Sequence, residues 1–208
     1  MFQSTLQPSG DLAIHIIRAQ RAPLAWRLKN LPNLMKTWPG LFAARLANYC
    51  GIPTIESSLR LRKRDGATGA WTDYGIVSRR KVTTTGCGFI VDSFWTTKEP
   101  EDMKYHGFGT GGGAESAANT ALTTELTTEY ASNNTRPTGT NSEASALVFQ
   151  SVATLTPDAG VALTEHGLFD QAANSGGVML DRHLFSVVNL ASGDSLVATY
   201  QMTLTAEA

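Results

Sequence analysis

Glu165 and His166 stand side by side in TEHGLF (164–169), and Asp181 and His183 flank Arg182 in VMLDRHLF (178–185). A carboxylate beside an imidazole can relay a proton, and two such pairs on neighbouring strands can share a metal ion. A metal site needs several ligands that converge, and the four histidines, His15, His106, His166 and His183, carry no H-E-x-x-H, C-x-x-C or acid-rich calcium-loop spacing. A hydrogen-bonded structural use of His166 and His183 is therefore expected, with no metal, no cofactor and no catalytic residue assigned. TEHGLF reads as a strand that ends at a turn: Val161 and Leu163 are apolar, Glu165 and His166 leave the sheet, Gly167 bends the chain, and Leu168 and Phe169 plug the core.

The other chemical signatures are weaker. Gly107, Gly109 and Gly112 in GFGTGG match G-x-G-x-x-G, but a dinucleotide site needs an apolar strand before the run and a helix after it. Here EPEDMKYH precedes, so a flexible or tightly turned loop is expected. The serine-hydrolase pattern G-x-S-x-G is absent from the sequence. Cys50 and Cys87 are flanked by small or apolar residues and read as buried free thiols.

Charge is distributed unevenly. Residues 1–81 hold 13 Lys and Arg against 4 acids, whereas residues 82–208 hold 4 bases against 14 acids, so opposite surpluses hide behind a net charge of −1. Such a split suggests docking between unlike surfaces. The densest basic stretch supplies Arg60, Arg62, Lys63, Arg64, Arg79, Arg80 and Lys81 as a docking face. No helix-turn-helix, zinc-finger or RNA-recognition pattern accompanies it, so protein is the expected partner in preference to nucleic acid.

The elements that must position these residues change character along the chain. LAIHII (12–17) suggests a short strand or arm. Residues 23–50 read as two helical pieces. Pro39 suits a first helical turn, Phe42, Leu46 and Tyr49 recur at helical spacing, and Gly51 with Pro53 stops the second piece. From residue 55 the period becomes two, with Leu59 and Leu61 alternating with Arg60 and Arg62. The β pattern is expected to continue through residues 71–95, with Thr83, Thr85, Cys87, Phe89 and Val91 on one face. Residues 98–145, rich in Gly, Thr, Asn and Ala, read as a long loop with a short helix or strand near 121–130. Four strands then follow, ending in SLVATYQMTLT, where Leu196, Ala198, Tyr200, Met202 and Leu204 should point inward. These four should form one antiparallel sheet, half of a sandwich.

The expected protein is thus mainly β, a jelly-roll-like antiparallel β-sandwich over residues 55–208, preceded by a partly helical basic segment over residues 1–54. Apolar residues make up 42% of the chain, enough for a packed core. The opening MFQSTLQPSG lacks the basic and apolar regions of a signal peptide, and no run approaches the ~18 apolar residues of a membrane span.

The ordered set KYHGFGTGGGAESAANTAL, RPTGT and EHGLFD…GGVMLDRHLFSVVNLASGDSLVATYQMTL resembles virion structural proteins of tailed bacteriophages over roughly residues 74–206. In that group a Gly-Thr-Gly loop, an E-x-G-[LI]-F turn, an [LM]-x-[DR]-x-x-F strand and a GD-[ST]-L strand occur in this order. The resemblance implies a non-enzymatic particle component, assembled in the host cytoplasm and resident in the virion. A capsid cement or decoration protein that binds the major capsid protein and self-associates as a dimer or trimer is the leading expectation. A tail, head-fibre or adaptor component is the first alternative. An enzyme acting on glycans or nucleotides is the second, to be distinguished by a pocket with convergent polar groups.

Overall fold

The structure is a computed structural model and describes residues 19–205 except 37, 81, 97 and 132. His15, the 12–17 segment and Lys81 lie outside the described residues. The fold is mainly β, 43% strand and 18% helix, in two sheets.

The first sheet contains β1 (Gln20–Arg21), β2 (Thr54–Arg64), β3 (Trp71–Arg80), β5 (Thr140–Ser145), β6 (Val148–Leu155) and β9 (Ser195–Thr205), in the order β1-β3-β2-β9-β6-β5. Only the short β1–β3 pair is parallel. The second sheet contains β4 (Tyr105–Gly109), β7 (Val161–Phe169) and β8 (Met179–Leu190), in the order β4-β7-β8. The four carboxy-terminal strands therefore do not form one sheet, contrary to the expectation. The links at 156–160 and 191–194 carry the chain from one sheet to the other and back, and the polar stretch 170–178 joins the antiparallel pair β7–β8.

Period-two alternation buries Leu59 and Leu61 on β2 and Leu196, Ala198 and Tyr200 on β9. These residues meet Phe108, Leu163, Phe185 and Val188 of the second sheet in one core, with Tyr200 in a second, adjoining cluster. The inward set on β9 stops there. Met202 is only partly buried and Leu204 is exposed, because the strand runs on past the core.

The stretch expected to be a strand at 83–91 is a helix, α3 (Thr84–Asp92). Its N-cap, Thr83, accepts the Gly86 N–H through its side chain and donates its own N–H and hydroxyl to Leu180 O. Gly86 and Phe89, three residues apart, face the core. In TTTGCGF the same residues satisfy both a two-residue and a helical spacing, and the capping threonine decides for the helix. Cys87 on α3 and Cys50 beyond α2 are both exposed, which corrects the expectation of buried thiols.

Two helices precede β2: α1 (Leu24–Met35) and α2 (Trp38–Tyr49). α1 joins the sheets at β3 and β8. The buried Asn30 donates to Val77 O and accepts from Ser186 N–H, both at 2.8 Å, and Trp26 Nε1 donates to Val187 O. β8 is an edge strand, yet every residue from Met179 to Phe185 is buried, because α1, α3 and the 110–125 segment cover its outer side. No helix among the described residues is long and apolar enough to cross a membrane.

Candidate functional site

β7 runs straight through TEHGLF, and Glu165 and His166 lie in its middle, each fully buried. The expected turn is thus a strand centre. His166 sits directly opposite His183 on β8, as the neighbouring-strand reading required. β4 adds His106, whose Nδ1 is 2.9 Å from His166 Nε2 and whose Nε2 is 3.0 Å from Ser151 Oγ on β6. On the other side His183 Nε2 lies 2.9 Å from Asp181 Oδ2, and Ser57 of β2 donates to the same carboxylate oxygen. A seam of Ser151, His106, His166, His183, Asp181 and Ser57 thereby crosses between the sheets, every member at most 3% exposed.

Ser57, His183 and Asp181 have the residue types of a nucleophilic triad but not its geometry. A triad holds the serine on one imidazole nitrogen and the carboxylate on the other. Here Ser57 and Asp181 both approach Nε2, at 3.4 Å and 2.9 Å, and His183 Nδ1 has no hydrogen-bond partner among the described residues. The histidine nitrogens also contact one another and do not point to a common centre. No group of three or more His, Cys, Asp or Glu among the described residues is arranged to hold a metal ion. Burial depresses the His106 pKa to about 3, against a smaller opposing pull from Asp181. Burial, and then the neighbouring His106 and His183, hold His166 well below the ordinary imidazole value. Both rings are therefore neutral at physiological pH. A neutral ring offers one donor and one acceptor, which suits the bonds linking Ser151, His106 and His166. His166 Nδ1 has no hydrogen-bond partner among the described residues, so His166 and His183 face each other without the expected hydrogen bond between them.

Glu165 organises the segment that follows β4. Its carboxylate accepts backbone N–H groups from Gly111 at 3.0 Å, Thr123 at 3.0 Å and Thr124 at 2.8 Å, and pairs with the Arg182 guanidinium at 2.7–2.8 Å. A second pair, Glu125–Arg136, closes at 2.6 and 2.8 Å. The Arg136 guanidinium lies 3.5 Å from the centre of the Phe169 ring, and Tyr130 hydrogen-bonds Glu125 and the Phe108 backbone. The long 98–145 stretch is thus pinned to the second sheet by one fully buried ion pair and one partly buried pair. Within it, 105–109 and 140–145 are strands, while 121–130 contains neither helix nor strand beyond an isolated bridge at Glu125.

The glycine run is part strand and part loop: Gly112 lies in the expected loop with open space around it, whereas packing accounts for the glycines before it. Gly107 and Gly109 belong to β4, and a Cβ at Gly109 would collide with the Thr124 carbonyl oxygen and stand 2.7 Å from Glu165 Oε1. Gly109→Ala is expected to lower stability by about 1–3 kcal/mol, since overpacked sites cost that much. Urea denaturation of the variant against the parent checks it.

The basic residues do not form one uniform face. Arg60, Arg64 and Arg79 are exposed, and Arg62 lies half-buried with its guanidinium 4.9 Å from the Trp71 ring centre. Arg60 pairs with Asp73 at 2.6 Å, and Lys63 pairs with Asp194 at 2.6 Å. Arg80 points inward, 2.5 Å from Glu115, and donates to Asn33 O. The parts sequence reasoning missed are Ser57, Ser151, His106, Arg136 and Arg182. One signal was present: three consecutive ionisable residues inside the apolar run of VMLDRHLF mark a strand covered on both faces. Comparison of the sequence with protein-family models and with curated proteins gives no match.

Proposed function

We propose that the chain is a structural protein of a tailed-bacteriophage virion, a cement or decoration protein that stabilises the head through protein–protein contacts. In this reading the two sheets are the layers of a jelly-roll-like β-sandwich, the protein is not an enzyme, and its partners are capsid protein and further copies of itself. The observation that carries the reading is how the ionisable side chains are used. Those with chemical potential, namely Glu165, His106, His166, Asp181 and His183, are sealed in the interior as cohesion between strands, all fully buried. What the surface offers instead is unpaired charge and exposed apolar side chains, the ingredients of an interface. The ordered motifs of the carboxy-terminal two thirds, similar to those of phage virion proteins, point the same way.

Imaging or labelling the chain in purified particles tests the proposal. Copies spread over the shell support cementing, copies confined to one vertex favour the tail or fibre alternative, and absence from the particle overturns both. Among the basic residues, Arg62, Arg64 and Arg79 make no ion pair among the described residues. Joint replacement by Glu of the two exposed ones, Arg64 and Arg79, is expected to reduce shell occupancy at least about tenfold with little change in thermal stability, because like charges across an interface cost several kcal/mol. Unchanged occupancy would remove the basic face from the attachment.

A further inference from the structure

Two surfaces of the molecule expose apolar side chains in organised form. On α1, Leu24, Leu28, Leu31 and Met35 recur at i, i+4, i+7 and i+11, a single stripe. On α2, Phe42, Leu46 and Tyr49 form a second stripe. All seven are at least 45% exposed. α1 is inverted relative to an ordinary surface helix. Its inward side carries Asn30, bonded to both sheets, while its leucines face outward. The segment 24–49 that carries the two helices holds four bases, Arg27, Lys29 and Arg45 in the helices and Lys36 at the end of α1, and no acid. None of the four forms an ion pair among the described residues.

The second surface is an apolar groove of about 680 Å³ between α3, the β5–β6 hairpin and the end of β9. Phe149, Leu180 and Met202 are among its lining residues, Phe94 and Leu147 add exposed apolar surface, and Glu101 and Glu143 complete it. The groove explains why β9 runs past the core with Met202 and Leu204 only partly covered. Neither Glu101 nor Glu143 has an ion-pair partner among the described residues.

We infer that these surfaces are the two halves of one self-contact, in which the α1–α2 helices of one copy seat their apolar stripes in the groove of a second copy. Charge selects this pairing over the alternatives. Helices against helices would set four bases against four bases, and groove against groove would set acids against acids. Only helix into groove brings unlike charges to the rim of an apolar contact, the arrangement of a stable interface. A reciprocal exchange closes at two copies. A one-way exchange continues from copy to copy and closes as a ring when the rotation allows. The inference names the contact behind the self-association proposed above and rests on that reading for its biological setting.

Light scattering on the purified full chain, separated by size over a concentration series, tests it. The parent is expected to run at multiples of its 22.3 kDa monomer, rising with concentration. Glu101→Lys with Glu143→Lys in one variant, and Lys36→Glu with Arg45→Glu in another, should each weaken association by about tenfold or more. All four positions are exposed, so the circular dichroism of both variants should match the parent. An equimolar mixture of the two should associate again, because the unaltered basic helices of the groove variant then meet the unaltered acidic groove of the helix variant. Phe42→Asp should dissociate the protein irrespective of charge pairing. A parent that stays monomeric at all concentrations, charge reversals without effect, or a mixture that fails to recover would each overturn the inference. A monomeric protein that still decorates particles would sink this contact and leave the virion reading standing. An oligomer built through these surfaces but absent from particles would do the reverse.

Discussion

Glu165→Gln is expected to lose about 3–5 kcal/mol of unfolding free energy, the cost of breaking a buried ion pair by neutralising one partner. The substitution keeps the side-chain volume but leaves the Arg182 guanidinium, 3% exposed as a residue, without its counter-charge. It also replaces one carboxylate oxygen by an N–H₂ donor that faces the N–H groups of Gly111, Thr123 or Thr124. With typical domains stable by only 5–15 kcal/mol, this single change removes a large share of the total. Urea unfolding measures it. A double replacement, Glu165→Leu with Arg182→Met, removes the unpaired charge but should recover only part of the loss, because the N–H groups of Gly111, Thr123 and Thr124 then lack their acceptor. If Glu165→Gln costs less than about 1 kcal/mol, the carboxylate does not hold the 110–125 segment as described.

Acid should destabilise the protein well above the range where carboxylates titrate. His106, with its pKa at about 3, and His166, held well below the ordinary imidazole value of 6.5, stay neutral in the folded state. The unfolded chain protonates both near pH 6.5, so it binds more protons than the folded state below that pH. Stability therefore rises with pH and is lost as pH falls from 6.5 toward the folded values. Two such sites give a slope approaching about 2.7 kcal/mol per pH unit, and a difference of about 4 kcal/mol between pH 7.5 and pH 5. Denaturant midpoints across this interval check it. Asp73 and Asp194, whose pKa values lie below 3.8 because ion pairs and backbone N–H groups outweigh their burial, add their loss only at lower pH. A profile flat from pH 7.5 to 5 would show that the histidines are hydrated or charged in the folded protein.

The strands were legible where one face was buried and the other was not. β2 and β9 could be placed from the alternation of Leu59 and Leu61 and of Leu196, Ala198 and Tyr200. The second helix was visible from Phe42, Leu46 and Tyr49 at helical spacing, but spacing does not report what covers a face, and the structure leaves this one exposed. α3 was hidden because its apolar spacing fits either period and the deciding N-cap of Thr83 is a local hydrogen bond. Sheet membership could not be read because period two reports only which face is covered, not which strand lies alongside. The polar seam was half visible. His166 opposite His183 follows from neighbouring strands, but His106 and Ser151 arrive from distant parts of the chain. A single sequence records no trace of such meetings. Glu165 was misread for the same reason, since its three backbone donors lie some fifty residues upstream or nearer in a stretch that looked like open loop.

β9 lies in the middle of the first sheet, between β2 and β6, and pairs with β2 along its whole length from Thr54↔Thr205 to Arg64↔Ser195. On the ribosome, β2 and β3 emerge early but cannot complete their sheet until residues 195–205 have been made. Until then Leu59 and Leu61 lack the strand that covers them, and β2 presents an open hydrogen-bonding edge. Domain closure is thereby deferred until residues 195–205 have emerged, and a chain stalled before Ser195 would carry a sticky, half-built sheet into the cell.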